Sequence, residues 1–432
     1  MHIKNINMQL LSINQLKNNV HKLAQSGFLY VFFANMFSYM VTFCATISYS
    51  RLLTPNDFGV FSFCYSIITF CLLLNGLGAS SGVLQFISKL ERSQEQTAYL
   101  KFAMRLGMGF NLLISIGIIF YAYFTTIPIR NAKYILLLMA FFPIGRLYID
   151  VFQAYLRAIH KNILLAKFSF INNSILLGLN ICGIIYHQLI GLIVGTYLSY
   201  FIIIIISIYI FKLPNIFNDN DVGNSPHNKK EFVTFSIYAT IGNAFIGLMF
   251  NLDIIILSYI IKDTIVVANY KIATIIPFAI NIIPGIIISF FYPQLAKNSH
   301  NIHYMNALKN KIIKLMLTIT IPSSTILIIF AKPFINLLFG GNFNLSIIPF
   351  QILIFGFSFA ALRIAYGNIL AIFGRVKFAM WLNLIIAILN VIMSYILIKC
   401  FGIIGAAIGI VLIYIIASFC ANLSLKACLR EI

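Results

Sequence analysis

The stretch FSFINNSILLGLNICGIIYHQLIGLIVGTYLSYFIIIIISIYIF, residues 168–211, decides the fold class of this chain. It contains no Asp, Glu, Lys or Arg, and it is long enough for two helical crossings of a bilayer at about 20 residues each. The whole chain is similar: 61% of its 432 residues are apolar and 9% are charged, against about 25% charged in soluble domains. The sequence therefore predicts an all-α membrane protein and excludes a large soluble catalytic domain.

Apolar windows of about 19 residues recur along the chain and are separated by clusters of charge. They fall at 27–49, 58–78, 102–124, 134–156, 168–187, 189–211, 232–261, 266–294, 315–333, 346–371, 379–398 and 402–423. Pro143, Pro277, Pro284 and Pro293 lie inside these windows and predict kinks, because proline is tolerated within transmembrane helices. We predict twelve transmembrane helices in two lobes of six.

The polar segment NDNDVGNSPHNKKE at 218–231 separates the first six windows from the last six. The first residues of the chain lack the compact apolar region and the cleavage site of a signal peptide. We predict a cytoplasmic N-terminal segment at 1–26, an N-lobe of helices 1–6 at 27–211, a cytoplasmic linker at 212–231, a C-lobe of helices 7–12 at 232–423 and a cytoplasmic tail at 424–432.

The net charge of +20, from 30 basic and 10 acidic residues, would suggest nucleic-acid binding in a soluble protein. Here most basic residues fall in the loops of one face, and the loops of the other face hold Arg51, Arg130, Lys133, Lys262, Lys332 and Lys399. Lys and Arg near helix ends are retained on the cytoplasmic side. We therefore predict that both termini are cytoplasmic, and no nucleic-acid partner is expected.

Two helices carry matching polar stripes with spacings of three and four, which place each stripe on one helix face. The first helix carries Asn35, Ser38, Thr42, Thr46 and Tyr49, and the seventh carries Ser236, Thr240, Asn243, Gly247 and Asn251. Because these helices open the two halves, we predict parallel repeats with a substrate site between the lobes near the membrane midplane. Small polar residues also join neighbouring helices, and that alternative stays open for each residue taken alone.

Five charged residues fall inside the predicted crossings: Arg146, Asp150, Asp253, Lys271 and Arg363. If they faced lipid, they would cost on the order of 10–15 kcal/mol, which equals the whole stability of a typical protein. We therefore predict that they face one another or a wet cavity.

Alternatives exist for each of these charges. Arg146 and Asp150 are four residues apart and can pair on one helix face. Lys271 can extend to the outer surface, or lie beside Asp253 across the hairpin of helices 7 and 8. Arg363 corresponds to Asp150 when the two halves are aligned, which would set opposite charges across the space between the lobes.

A cavity with three cations and two carboxylates suits an anionic ligand, because the planar fork of Arg matches phosphate oxygens. An exporter of cationic drugs would be expected to have a net negative cavity instead. The candidate cavity residues are Arg146, Asp150, Asp253, Lys271, Arg363, Asn35, Thr42, Thr240, Asn243 and Asn251.

No catalytic site, metal or cofactor is predicted. The seven cysteines form no CxxC pair. His300 and His303 lie in a polar loop with no third ligand apparent. No P-loop or dinucleotide motif is present, so ATP hydrolysis by this chain is not expected.

Several segments occur in an order that resembles a known family. They are RLLTPNDFGVFS at 51–62, NLDIIIL at 251–257, ANYKIA at 268–273, FYPQLAK at 291–297, LLFGGNF at 337–343, AIFGRVK at 371–377 and GIIGAAIG at 402–409. With twelve helices, this ordered set resembles the Wzx-type flippases of O-antigen and polysaccharide repeat units, within the multidrug/oligosaccharidyl-lipid/polysaccharide (MOP) exporter superfamily. Lys271 departs from the family pattern, in which a small residue is usual.

This resemblance implies a MATE-like, V-shaped transporter in the inner membrane of a bacterium. It would carry undecaprenyl-diphosphate-linked oligosaccharide repeat units from the cytoplasmic to the periplasmic leaflet by alternating access. The lipid bilayer would be its surroundings, and the polysaccharide polymerase and chain-length regulator would be candidate partners. Membrane potential could drive transport, and proton or sodium exchange through Asp150 or Asp253 is equally open.

Two other functions remain as alternatives. The first is a MATE-like multidrug exporter, which drug-resistance assays would distinguish. The second is a membrane-embedded polysaccharide polymerase, whose chemistry needs positioned acid, base or cationic groups on an outer loop. The predicted outer loops are short and carry few such groups, which argues against an enzyme.

Overall fold

The computed structural model describes residues 28–210, 228–297, 301–373 and 376–431, and these are almost entirely helical. The predicted segment 1–26 and most of the predicted linker lie outside these ranges. The helices of the first half are Phe28–Leu52 (α1), Pro55–Cys71 (α2), Ala79–Ile87 (α3), Ser93–Phe124 (α4), Ala132–Met139 (α5), Phe142–Ala158 (α6) and Asn162–Tyr209 (α7).

In the described ranges, the second half continues with seven α-helices. They are Lys229–Ile261 (α8), Thr264–Ile280 (α9), Ile282–Lys297 (α10), Ile302–Ile329 (α11), Ala331–Phe339 (α12), Ile347–Ile372 (α13) and Val376–Glu431 (α14). Short 3₁₀ turns cover Leu72–Gly78 and Asn344–Ser346.

Helix α7 contains a chain reversal. Gln188 has a positive φ of 49°, and beyond it Thr196 donates a hydrogen bond to Asn180 at 3.1 Å. Gly183 and Gly191 lie back to back, so that a Cβ on either would overlap the carbonyl oxygen of the other. The two arms of α7 therefore form an antiparallel hairpin, and the reversal falls between the predicted windows 168–187 and 189–211.

Helix α14 reverses in the same way at Gly402, whose φ is 58° and ψ is −134°. A Cβ on Gly405 would overlap the carbonyl oxygen of Leu397, so the arms on either side of the reversal are in contact. This point lies at the start of the last predicted window, 402–423.

Seven helical spans among the described ranges are long and apolar enough to cross a membrane, or eight if the bent pair α5 and α6 is one span. The bend of 40° between α5 and α6 lies at the start of α6, beside Pro143, where the sequence predicts a kink. The chain is thus a multi-pass membrane protein, and the count of twelve crossings stays a prediction.

The sequence predicts one continuous crossing at 58–78, but the structure has a longer span, Pro55–Ile87, with a break in its middle. Between α2 and α3, Leu74 to Leu77 leave helical geometry, and Gly76, Leu77 and Gly78 all have positive φ. The Asn75–Gly76 pair is a strong turn signal, and glycine adopts positive φ without steric cost. The helix resumes as α3 and extends to Ile87.

The two halves of the chain pack together along α2, α3 and α8. Gly78 and Gly82 allow α3 to approach α8 closely, because a Cβ on Gly78 would overlap the Ser236 carbonyl and the Thr240 hydroxyl. A Cβ on Gly82 would meet the ring of Phe232 at 2.5 Å. These contacts join the halves at the end that the charge distribution predicts to be cytoplasmic.

A second set of contacts joins the halves at the predicted periplasmic end. Gly59 of α2 lies against the backbone of Thr264, whose hydroxyl also bonds to Asn56. Arg51, at the end of α1, donates to the carbonyl oxygens of Leu337 and Leu338, with Nε at 2.7 Å from the latter. These carbonyls lie in the last turn of α12, where the helix dipole favours a cation.

The close approach at Gly78 gives a testable prediction. Gly78→Ala should lower the free energy of unfolding by about 1–3 kcal/mol, because it adds a side chain at positive φ and against α8. Thermal unfolding of the purified protein in detergent measures this. Gly117→Ala is the matched control, because a Cβ on Gly117 has no neighbour within 4 Å. Equal melting temperatures for both variants would contradict the close packing of Gly78 against α8.

Candidate substrate site

Arg146 and Asp150 form an ion pair on α6, as their spacing predicts. The Arg146 Nε lies 3.1 Å from Asp150 Oδ1 and 3.2 Å from Oδ2. The Arg146 side chain is nevertheless 48% accessible, and that of Asp150 is 26% accessible. Within the described part of the chain, the two terminal nitrogens of Arg146 have no hydrogen-bond partner. The pair thus orients the guanidinium group and leaves its outer edge available.

A chain of amide side chains holds Asp150 in place from the broken helix. Asn75, in the break between α2 and α3, donates to Asp150 Oδ2 at 2.9 Å. The Asn75 carbonyl oxygen accepts in turn from the amide of Asn111 at 2.7 Å. Asn111 is fully buried on α4, and it also accepts from the backbone N–H of Gly76 at 2.7 Å and donates to the Pro143 carbonyl at 2.6 Å.

This amide relay links three parts of the first half. It satisfies a backbone N–H that the helix break would leave unpaired, which matters because unpaired polar groups are costly in the membrane. It also fixes the carboxylate that orients Arg146. Since Gly78 follows the break directly and contacts α8, the position of the relay depends on the packing between the two halves.

Aromatic side chains flank the accessible edge of Arg146. The phenol groups of Tyr65 on α2 and Tyr200 on α7 lie within electrostatic range of the guanidinium group. Gly145 allows the ring of Tyr200 to pack directly on α6. Tyr65 is exposed and stacks on Phe61 with ring centroids 5.4 Å apart. Tyrosines of two neighbouring helices of the same half therefore lie near the Arg146 guanidinium group.

Aromatic contacts extend from Tyr65 through Phe61 to α1. Tyr49 contacts Phe61 edge-on at 6.0 Å, and its hydroxyl accepts from the Asn180 amide at 2.7 Å. Tyr49 is buried, so it supports Phe61 and Tyr65 from within the protein, while Tyr65 and the Arg146 side chain are accessible. Such surfaces suit an anionic group attached to sugars, since aromatic rings stack on apolar faces and Arg binds phosphate.

Two of the predicted charges of the second half, Asp253 and Arg363, lie near a common tyrosine, Tyr414. Asp253 on α8 is 3% exposed and accepts from the Ser394 hydroxyl at 2.6 Å. Tyr414 lies within electrostatic range of both Asp253 and Arg363. Arg363 is half-buried, and its Nε has no partner among the residues described. No described contact joins Arg363 to Asp150 or to Arg146.

Lys271 is half-buried on α9. No ion pair between Lys271 and Asp253 is found in the described ranges, so the predicted neighbour relation across the hairpin does not appear as a contact. A buried cation without a carboxylate partner is costly in a membrane.

The predicted polar stripes have mixed surroundings. Thr42 is exposed, and its hydroxyl donates to the Ser38 carbonyl of its own helix at 2.9 Å. Thr240 is buried against Gly78, and Asn243 is exposed. Asn35 and Asn251 lie in described helices, but their side chains are outside the described part. Thr240 therefore has the packing role that was the alternative for such residues.

Sequence reasoning missed the residues that hold the candidate site together, namely Asn75, Asn111, Tyr65 and Tyr200. The Asn75–Gly76 turn signal inside an apolar window was visible and marks the break. Asn111 was also visible as an amide within an apolar helix, where polar side chains need partners. The partners themselves depend on how distant helices pack, which one sequence does not give.

Comparisons with known proteins identify the fold. No curated protein is significantly similar in sequence. The chain resembles an inward-facing multidrug resistance MATE family transporter of the MOP superfamily, with a TM-score of 0.71 and 14% identity over 91% of this chain and 95% of that one. It is equally similar to the lipid II flippase MurJ in an inward closed conformation, with a TM-score of 0.71 and 17% identity over 92% and 87%.

A third similar structure is a MOP superfamily transporter from Pyrococcus furiosus, whose binding pocket is described as having reverse polarity and suggesting a different function. Its TM-score is 0.59, with 12% identity over 94% of both chains. At these identities the likeness shows the fold alone, which is the predicted MATE-like fold.

The model of the polysaccharide biosynthesis protein family matches residues 24–299, which is well over half of the chain. The first two of these similar structures are a transporter and a flippase. The chain therefore belongs to the polysaccharide biosynthesis protein family of the MOP exporter superfamily.

Proposed function

We propose that this protein is a flippase for undecaprenyl-diphosphate-linked oligosaccharide repeat units, the precursors of O-antigen or a related surface polysaccharide. It moves them from the cytoplasmic to the periplasmic leaflet of the bacterial inner membrane by alternating access. The supporting observation is the accessible edge of Arg146, oriented by Asp150 and flanked by tyrosines, in a chain of the polysaccharide biosynthesis family.

In this proposal, the terminal nitrogens of Arg146 bind the diphosphate, while Nε stays on Asp150. A free guanidinium edge can donate two parallel hydrogen bonds to phosphate oxygens. The side chains of Tyr65 and Tyr200 contact the sugars, and the polyprenyl tail stays in lipid. In the second half, Arg363 and Lys271 bind further negative charge of the substrate. Arg363 is suited to this because it has a buried nitrogen without a described partner.

Membrane potential supplies part of the driving force. Moving two negative charges outward across the full field gains about 4–5 kcal/mol at 100 mV, at about 2.3 kcal/mol per charge. The charges of the protein return with the empty carrier and cancel over a cycle. Export of the diphosphate is therefore favoured by the potential of a respiring cell.

Exchange of a proton or sodium ion adds to this force through Asp253 rather than Asp150. The Asp150 carboxylate already has a guanidinium partner. Asp253 is buried, and its described hydrogen-bond partner is a hydroxyl group, that of Ser394. A buried carboxylate needs a positive partner, and an exchanged cation can provide it.

The charge hypothesis predicts the effect of removing both arginines. Replacing Arg146 and Arg363 together by Gln should reduce flipping at least about tenfold, because a hydrogen bond to a charged group contributes about 1.5–3 kcal/mol. Accumulation of the lipid-linked oligosaccharide in vesicles measures this at equal protein levels. Arg130→Gln, an exposed residue predicted to lie on the periplasmic face, is the control. An unchanged rate in the double variant would contradict the hypothesis.

The relay predicts a specific effect of Asn111. Asn111→Ala should weaken binding of undecaprenyl diphosphate by about 3- to 10-fold, because Asn75 and Asp150 lose their support and Arg146 loses its orientation. Titration calorimetry of the purified protein measures the Kd. Ser115→Ala is the matched control, since this buried hydroxyl on the same helix donates to the Asn111 backbone at 3.0 Å and takes no part in the relay. Wild-type affinity for Asn111→Ala, or an equal loss for Ser115→Ala, would refute this role.

The coupling proposal predicts how Asp253 responds to ion gradients. Asp253→Asn should remove any dependence of flipping on an imposed proton or sodium gradient and keep the dependence on membrane potential, because the amide has no charge to neutralise. Flipping in vesicles with separately imposed gradients measures this. If the Asn variant keeps the full gradient response of the wild type, the cation is coupled elsewhere.

Two further assays distinguish a flippase from the alternative functions, a multidrug exporter and a polysaccharide polymerase. Drug resistance conferred on a hypersusceptible strain would favour a multidrug exporter. Joining of repeat units by the purified protein would favour a polymerase. We expect neither, and we expect the polysaccharide polymerase and chain-length regulator to be partners in the membrane.

A further inference from the structure

Several lysines of the second half lie in a long stretch without acidic residues. From Thr264 to Arg430 the sequence contains no Asp or Glu. At the end predicted to be cytoplasmic, Lys309 of α11 lies within electrostatic range of Lys426 of α14. Lys309 donates to the side chain of Asn306 at 3.0 Å, which supplies no charge. In the described ranges, no carboxylate pairs with these lysines.

Helix α11 has a buried face and an opposite face that is open. Its buried face carries Leu308, Ile312, Met316 and Thr320. The opposite face forms a shallow open groove lined by Asn310, Ile313, Lys314, Leu317, Thr318, Ile321 and Pro322. These positions recur at spacings of three and four, so they form one continuous strip along the helix.

The strip changes from polar to apolar along its length. Lys314 lies at the predicted boundary of the membrane, where lipid phosphates are found, and Asn310 lies one turn before it. Pro322 is about 12 Å deeper at 1.5 Å per residue, and the groove between them is lined mainly by apolar side chains. Lys311 lies beside the strip, with its Nζ 5.9 Å from the ring centre of Phe291.

We propose that this strip is a binding site for an anionic phospholipid of the bilayer. The phosphate contacts Lys314, Lys311 lies beside it, and Lys309, which faces α14, adds positive charge at the same end of the helix. An acyl chain lies in the groove along Leu317 and Ile321. Lysines at one end of the strip and an apolar groove along the rest match the two parts of an anionic phospholipid. Basic residues at the membrane surface attract anionic lipids, and acyl chains cover apolar helix faces. This site is independent of the transport function proposed above.

Lipid retention by the full-length protein tests the site. The variant replaces Lys309, Lys311 and Lys314 by Gln. The control replaces Lys89, Lys161 and Lys167 by Gln, which removes the same charge from exposed positions in the first half. Native mass spectrometry then compares phosphatidylglycerol with phosphatidylcholine of the same acyl chains, and thermal unfolding in phosphatidylcholine checks that both variants are folded.

We expect the wild type and the control to retain phosphatidylglycerol preferentially, and the Lys309/Lys311/Lys314 variant to lose this preference by about tenfold or more. Soluble glycerol phosphate should not compete, because it has no chain for the groove. An undiminished preference in the variant, an equal loss in the control, or effective competition by glycerol phosphate would each overturn the proposal. Displacement of phosphatidylglycerol by undecaprenol, which is uncharged, would also overturn it, because the groove would then bind the polyprenyl chain.

Discussion

The arrangement of the first half depends on one constraint, the cost of a guanidinium group within a membrane. Arg146 lies in a bent crossing, where a charge facing lipid would cost roughly 3 kcal/mol or more. The structure meets this cost in part by the ion pair with Asp150 and in part by exposure to a region lined by Tyr65 and Tyr200. A guanidinium group that was fully neutralised by protein carboxylates could be buried completely. One that was fully hydrated would not require an ion-pair partner. The observed state lies between these limits and suits a binding group.

The side chains that hold Asp150 also support the broken helix between α2 and α3. A break in a membrane helix leaves backbone groups that must find partners, and Asn111 supplies one for Gly76. The same side chain supports Asn75, which holds Asp150. Because Gly78 places this break against α8, movement between the halves would shift the support of Arg146. In the proposed transport cycle, binding and lobe movement would therefore involve the same few atoms, which is a physical route for coupling them.

The sequence predicted much of the fold because the membrane imposes strong periodic patterns. Apolar windows located the helices, and the reversal at Gln188 falls where two windows meet. The pairing of Arg146 with Asp150 followed from helical spacing alone. The MATE-like fold and the superfamily were also predicted, from ordered segments, and both are confirmed.

The sequence did not predict contacts between distant helices. Asn75 and Asp150 are far apart along the chain, and their hydrogen bond depends on how α6 packs beside the break. Thr240 was predicted to line the cavity, but the structure places it against Gly78. Whether a polar side chain on a membrane helix joins a neighbour or faces a cavity depends on tertiary packing, which spacing alone does not encode.

The most direct test of the account is a structure of the protein determined with undecaprenyl diphosphate bound in a lipid nanodisc. The account predicts phosphate oxygens within hydrogen-bond distance of the terminal nitrogens of Arg146, with Asp150 still on Nε. A diphosphate bound elsewhere, with both edges of the Arg146 guanidinium closed off by protein side chains, would contradict it.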